Sequence, residues 1–193
     1  MRLSLLLIIC GLGVLCLALV SANEQRQTIR DDTESLIKQT NVPGFTVIGI
    51  AARTDNAKES TADGVIPRQW QKFFSEGMLP KIPDTTGPNL YAVYADYASD
   101  HNGSYTYVVG AQVKDGTTPP NGMVLKRVPA GQYAVFTTEV GPFAKVVPAA
   151  WQGIFKLEAE GKLKRAYKTD FEIYNQRAQN PQNAQIDIYI GIK

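Results

Sequence analysis

Hydrophobic and polar positions change period along this chain in an order that occurs twice. An apolar run opens at Leu3 and closes at Val20, and residues 23–42 are then polar and charged apart from the pair Leu36 and Ile37. Residues 45–52 form a β-rich apolar stretch. Pro67 next opens a helix at the first position, where its missing N–H is tolerated, and Ile66, Trp70, Phe73 and Phe74 recur at helical spacing. Residues 90–97 and 105–113 read as strands around a loop carrying Asp100, Asn102 and Gly103. The same succession returns as a strand at 131–138, a helix from Pro148 to about 160, and strands at 170–174 and 185–192.

The recurrence is residue by residue in places. Val65, Ile66, Pro67, Trp70 and Phe74 fall on Val146, Val147, Pro148, Trp151 and Phe155 at an offset of 81, as do Tyr107 and Gly110 on Ile188 and Gly191. Tyr91 and Tyr94 fall on Phe171 and Tyr174 at an offset of 80. The expected fold is therefore α+β: a tandem repeat of two strand-helix-strand-strand modules, with the helices on one face of an antiparallel sheet and a ligand groove between the modules. Trp70 and Trp151 head apolar helix stripes, so core packing is the expectation for both.

Strand alternation assigns side chains to faces. Ile186, Ile188, Ile190 and Ile192 point one way, toward the helices, and Asp187 and Tyr189 the other. Placing Phe171, Ile173, Tyr91 and Val93 with the isoleucines leaves Asp170, Glu172, Tyr174, Tyr94, Asp96, Thr106 and Val108 on the far face. That face would be aromatic and acidic, with no lysine or arginine on these four strands. Tyrosine rings attract cations and a partly desolvated carboxylate gains from a counterion, so an organic cation is the expected ligand, held by Glu172, Tyr174, Tyr189, Asp187, Tyr94 and Thr106. The alternative from pattern alone is that the tyrosines cover the sheet and the acids are solvated.

Charge and composition narrow the partners. Lys plus Arg is 20 against 18 for Asp plus Glu, a balance that provides no basic footprint for nucleic acid. The two cysteines, Cys10 and Cys16, both lie in the N-terminal apolar run, so a cleaved product has no thiol for disulfides, catalysis or metal ligation. The single histidine, His101, stands in a polar loop and reads as solvated. No metal or cofactor is expected.

Met1 and Arg2 form a short positive leader, and Val20, Ser21 and Ala22 offer small residues to a signal peptidase. The apolar run of 18 residues is long for a cleaved signal and just long enough to span a bilayer, so a cleaved signal over 1–22 and an inner-membrane anchor through Leu3 to Val20 both remain open. Either places residues 23–193 outside the cytoplasm, in the periplasm or its equivalent. Residues 23–42 read as a linker and 43–193 as the folded domain.

Five segments in order carry a resemblance. Tyr105 to Gly110, Val128 to Phe136, the Trp151 helix, Asp170 to Tyr174 and Ile186 to Ile192 are together similar to the gyrase-inhibitor-like family, also the effector-binding half of certain multidrug-sensing transcription activators. The resemblance implies a ligand groove between two modules and, in the strand Phe171, Glu172, Ile173, Tyr174, a glutamate that meets cationic, lipophilic ligands. The segment before the domain reads as an export signal rather than as a helix-turn-helix, so direct transcriptional regulation is not expected. The expected role is an exported binding module that sequesters or senses a small molecule. The alternative is a small-molecule hydrolase with Glu172 as general base, since some relatives are understood to be hydrolases.

Overall fold

The computed structural model describes residues 37–193, with a compact unit over Lys38–Lys193. The expected signal or anchor at 1–22 and the linker up to residue 36 lie outside the described residues. The unit begins with β1 (Gln39–Val42), so the last four residues of the segment read as linker are a strand. There follow β2 (Phe45–Thr54), a one-turn helix α1 (Asn56–Glu59), α2 (Ile66–Ser75), β3 (Thr85–Ala95), β4 (Tyr105–Val113), β5 (Val124–Val128), β6 (Gly131–Thr137), α3 (Phe143–Ala159), β7 (Thr169–Tyr174) and β8 (Asp187–Gly191).

Local chemistry fixes the helix ends. Glu59 accepts the N–H groups of Val65 at 2.8 Å and Ile66 at 3.1 Å, occupying donors that the first turn of α2 cannot use itself. Both long helices stop in the same way. Gly77 at φ 57° and Gly161 at φ 70° take the left-handed position, and the next residue turns its N–H back, Met78 to the Phe73 carbonyl and Lys162 to the Leu157 carbonyl, each at 2.9 Å. α3 starts five residues before the expected Pro148, which lies inside it. Proline there removes only the bond to the Ala144 carbonyl, and Ala144 is exposed, so water can take that acceptor.

The strands form one antiparallel sheet in the order β1-β6-β8-β7-β3-β4-β2-β5. At the β3–β7 seam Ala92 pairs with Glu172, Val93 with Phe171 and Tyr94 with Asp170. Gly49 of β2 pairs with Gly110 of β4, and a Cβ on either would fall about 2 Å from a backbone oxygen of the other strand (2.1 Å and 2.0 Å). Only glycines permit that approach, and the sheet curls.

Curling gives the sheet two buried faces. On the helix side Ile48, Ile50, Ala92, Tyr94, Tyr105, Tyr107 and Val109 pack with Phe73, Trp70 and Trp151. On the other side Val47, Tyr91, Val93, Val108, Tyr133 and Phe171 form a second core. There Phe45 of β2 reaches across to Phe171 of β7, with ring centroids 5.2 Å apart, and Tyr189 stacks on Phe171 at 4.5 Å. The expected faces of β3 and β7 are thus exchanged: Tyr94, Glu172 and Tyr174, expected away from the helices, lie under them, and Tyr91, Val93, Phe171 and Ile173, expected under the helices, form the interior closed by the curl. Phe74, expected in the helix stripe, points outward and stacks on Trp70.

Candidate ligand-binding site

β7 carries Asp170, Glu172 and Tyr174 on the helix side, because alternation puts every second residue there and the pairing of Tyr94 with Asp170 brings Tyr94 to the same face. Glu172 is 1% exposed. Its Oε1 accepts the Tyr94 hydroxyl at 2.8 Å and the Trp151 indole N–H at 2.7 Å, and its Oε2 accepts the Tyr174 hydroxyl at 2.8 Å. Among the described residues it has no ion-pair partner. Burial pushes its carboxyl above the usual carboxylate range, and the three hydrogen bonds only partly oppose the shift.

Aromatic rings enclose this carboxylate. Trp151 of α3 lies 4.9 Å from Tyr94, Tyr107 lies 5.1 Å from Tyr94, and Trp70 of α2 lies 4.7 Å from Tyr174. The two helices thus each contribute a tryptophan to the space between them, which is filled by side chains. Burial first, then the charge on Glu172, holds the hydroxyls of Tyr94, Tyr107 and Tyr174 well above their ordinary pKa, so they remain donors across the accessible pH range. A cleft of about 470 Å³ opens elsewhere, between α3 and β6, lined by Phe136, Ala150, Ile154 and Leu157. Lys156, Lys162 and Glu160 also line it, a basic excess unsuited to a cation.

Asp170, completely buried, meets a different environment. Its Oδ2 pairs with Arg165 at 2.6 Å and accepts the Tyr97 hydroxyl at 2.7 Å, while Oδ1 accepts the Gly191 N–H at 2.8 Å. The Arg165 guanidinium lies 4.4 Å from the Tyr167 ring centroid and 5.6 Å from that of Trp151, and Glu158 stands 3.6 Å away. Burial alone would lower the Arg165 pKa, but Asp170, Tyr97 and Tyr167 hold it above its ordinary value.

The six residues expected to share one face are divided between two. Glu172, Tyr94 and Tyr174 come together under the helices, whereas Tyr189, Asp187 and Thr106 lie on the other side of the sheet. β8 pairs Ile188 with Glu172 and Tyr189 with Phe171, so the isoleucines share their face with Glu172 rather than with Phe171. A shift of one residue between neighbouring strands reverses such an assignment. The four strands carry no lysine or arginine, as expected, but the polar groups on that side find basic partners from other segments. Asp187 pairs with Arg177 and accepts the Thr137 hydroxyl, Asp96 pairs with Lys126 at 2.6 Å, and Thr106 accepts from Arg53 at 3.2 Å. Lys126 accordingly holds the Asp96 carboxyl below the usual range.

Trp151 was expected only as core packing, and neither Tyr107 nor Arg165 was expected at the site. The signal for the tryptophans was present: both occupy the same place in the recurring segments, so both helices bring an indole to the same space.

A curled antiparallel sheet whose helices enclose a carboxylate in aromatic rings is the frame of a small-molecule effector-binding domain. Residues 39–192 match the Cass2 family, integron-associated effector binding protein, and the chain belongs to that family, as the gyrase-inhibitor-like resemblance led one to expect. It is 33% identical over 146 residues to the putative transcriptional regulator protein YobU of Bacillus subtilis, a match covering 75% of this chain and 90% of YobU. It is 34% identical over 154 residues to the transcriptional regulator BrlR of Pseudomonas aeruginosa, covering 78% of this chain and 53% of BrlR. Among solved structures, the integron cassette protein VCH_CASS2 from the mobile metagenome of Vibrio cholerae superposes with a TM-score of 0.67 at 29% identity, covering 81% of this chain and 95% of that one. The protein SAV2435 shares the fold with a TM-score of 0.65 at 15% identity, over 81% of this chain and 93% of its own.

Proposed function

We propose that this domain binds a lipophilic organic cation between α2 and α3, with Glu172 as counterion. The observation that carries the reading is the state of Glu172: a carboxylate buried to 1% exposure with no cationic partner among the described residues, surrounded by rings. A buried charge without a counterion is costly, and a cation on electron-rich ring faces supplies what is missing. SAV2435 was solved bound to tetraphenylphosphonium, a cation of this kind. The space is filled by Trp70, Trp151 and Tyr174, so entry requires at least one of these rings to turn aside, and Phe74, stacked on Trp70 and 63% exposed, marks the approach from solvent.

The two halves of the unit are read as copies of one strand-helix-strand-strand module placed about the β3–β7 seam, a reading supported by the matched residues and by the identical helix ends. The long apolar run after Arg2 supports action outside the cytoplasm, by sequestration or by sensing for a partner. Hydrolysis with Glu172 as base is the weaker reading, because both its oxygens are engaged by donors.

Calorimetric titration of the full chain with tetraphenylphosphonium and with neutral triphenylphosphine oxide tests the reading. Glu172→Gln is expected to weaken the cation by ~2 kcal/mol or more, about thirtyfold, and to leave the neutral compound nearly unchanged. Equal losses for both compounds would reduce Glu172 to a contact of shape.

A further inference from the structure

Tyr107 has a property that sets it apart from the other tyrosines of the cage. Its side chain is completely buried, on the helix side of β4 beside Tyr94, yet its hydroxyl has no hydrogen-bond partner among the described residues. Tyr94 and Tyr174 donate their protons to Glu172. Trp70 is near enough to influence the Tyr107 hydroxyl without meeting hydrogen-bond geometry, and an indole N–H can only donate, so the Tyr107 proton has no acceptor in any case. An unmet buried donor costs stability that a phenylalanine in the same place would not lose.

We infer that Tyr107 is a specificity-determining residue of the Glu172 site, its hydroxyl donating to a hydrogen-bond acceptor on the ligand. The inference rests on the proposed cation site and narrows its ligand class: a cation bearing a carbonyl or ether oxygen near the charged centre, in preference to a purely hydrocarbon cation. Glu172 reads the charge and Tyr107 the acceptor, from β7 and β4 on either side of Tyr94. The chemistry is selective because a site with an unmet donor gains from the acceptor and loses nothing to its absence that the empty site has not already lost.

The test is a cycle of two proteins and two probes. Phenacyltrimethylammonium carries a ketone beside the charged centre, and 2-phenylethyltrimethylammonium is its hydrocarbon counterpart. Titrations of the full chain and of Tyr107→Phe with both should show the ketone probe weakened about five- to tenfold by the substitution and the hydrocarbon probe unchanged within about twofold. The melting temperature of unliganded Tyr107→Phe should hold or rise, because an unpaired hydroxyl has been removed. Equal effects of the substitution on both probes, or a loss of folding in Tyr107→Phe, would overturn the assignment. If the hydrocarbon probe binds and depends on Glu172 while no coupling to Tyr107 appears, this inference alone falls. If neither probe binds the unaltered chain while tetraphenylphosphonium does, this inference falls and the cation reading stands; if tetraphenylphosphonium fails as well, both fall.

Discussion

Asp170 and Glu172 stand two residues apart on one face of β7, both sealed from solvent and both ringed by aromatic side chains. Asp170 holds an internal cation, Arg165, which lies against Tyr167 and Trp151 much as a ligand would. Glu172 holds none and is kept by three aromatic donors. Trp151 belongs to both environments, with its N–H on Glu172 and its ring near the guanidinium. Both clusters set a buried carboxylate among aromatic rings, one with an arginine of the chain and one without. Asp170 is neutralised by a cation of the chain; Glu172 is held by neutral donors alone, the difference on which the proposed ligand site rests.

On this contrast, removing the internal cation should be far more damaging than neutralising the unpaired acid. Arg165→Met strands a charged Asp170 in the interior and is expected to cost ~3–5 kcal/mol, read from the shift of a urea denaturation curve. Adding Asp170→Asn should return much of that loss. A small loss for Arg165→Met would mean that the pair is not sealed and that the two clusters differ less than described.

Glu172→Gln should behave oppositely in the unliganded protein. The amide oxygen can still accept from Tyr94 and Trp151, and a costly buried charge is gone, so stability is expected to stay the same or rise by about 1 kcal/mol in the same measurement. A loss resembling that of Arg165→Met would show Glu172 to be a structural charge.

The smallest effect is in pH. Burial sets the folded-state pKa of Glu172 above its unfolded value, so the folded protein holds the proton more tightly. Stability from this group is therefore present at low pH and declines as pH rises through the interval from the unfolded to the folded pKa. Cation affinity runs the other way, falling on acidification through the folded pKa as the carboxylate is neutralised. Glu172→Gln should flatten both trends, and a slope that survives the substitution would place the titrating group elsewhere.

The succession of strands and helices was legible because hydrophobic period changes are local, and Glu172, Tyr94 and Tyr174 were legible as one face because alternation along β7 and its counterpart β3 is strict. The matching of that face to the next strand was not. Which side of β8 lies beside Glu172 depends on register, which is decided between strands, and both sides of the sheet are rich in apolar residues because the curl buries both. Polar residues therefore suggest the face away from the helices, whereas Glu172 and Asp170 are satisfied beneath them. Arg165 was hidden for another reason. It sits in the irregular segment before β7, where no periodicity speaks for direction, and reaches Asp170 only after the chain has turned at Tyr167, a non-glycine residue at φ 52°.

Alternation along β7 has a consequence for how such a protein can change over generations. Positions 171 and 173 belong to the core inside the curl, and positions 170, 172 and 174 face the helices. Inherited substitutions at 172 and 174, or at Tyr94 and Tyr107 on the neighbouring strands, can thus alter the proposed ligand site while Phe171 and Ile173 keep the scaffold intact. A single strand presents two surfaces to selection separately, and a lineage can remodel the polar cluster under the helices without first surrendering its fold.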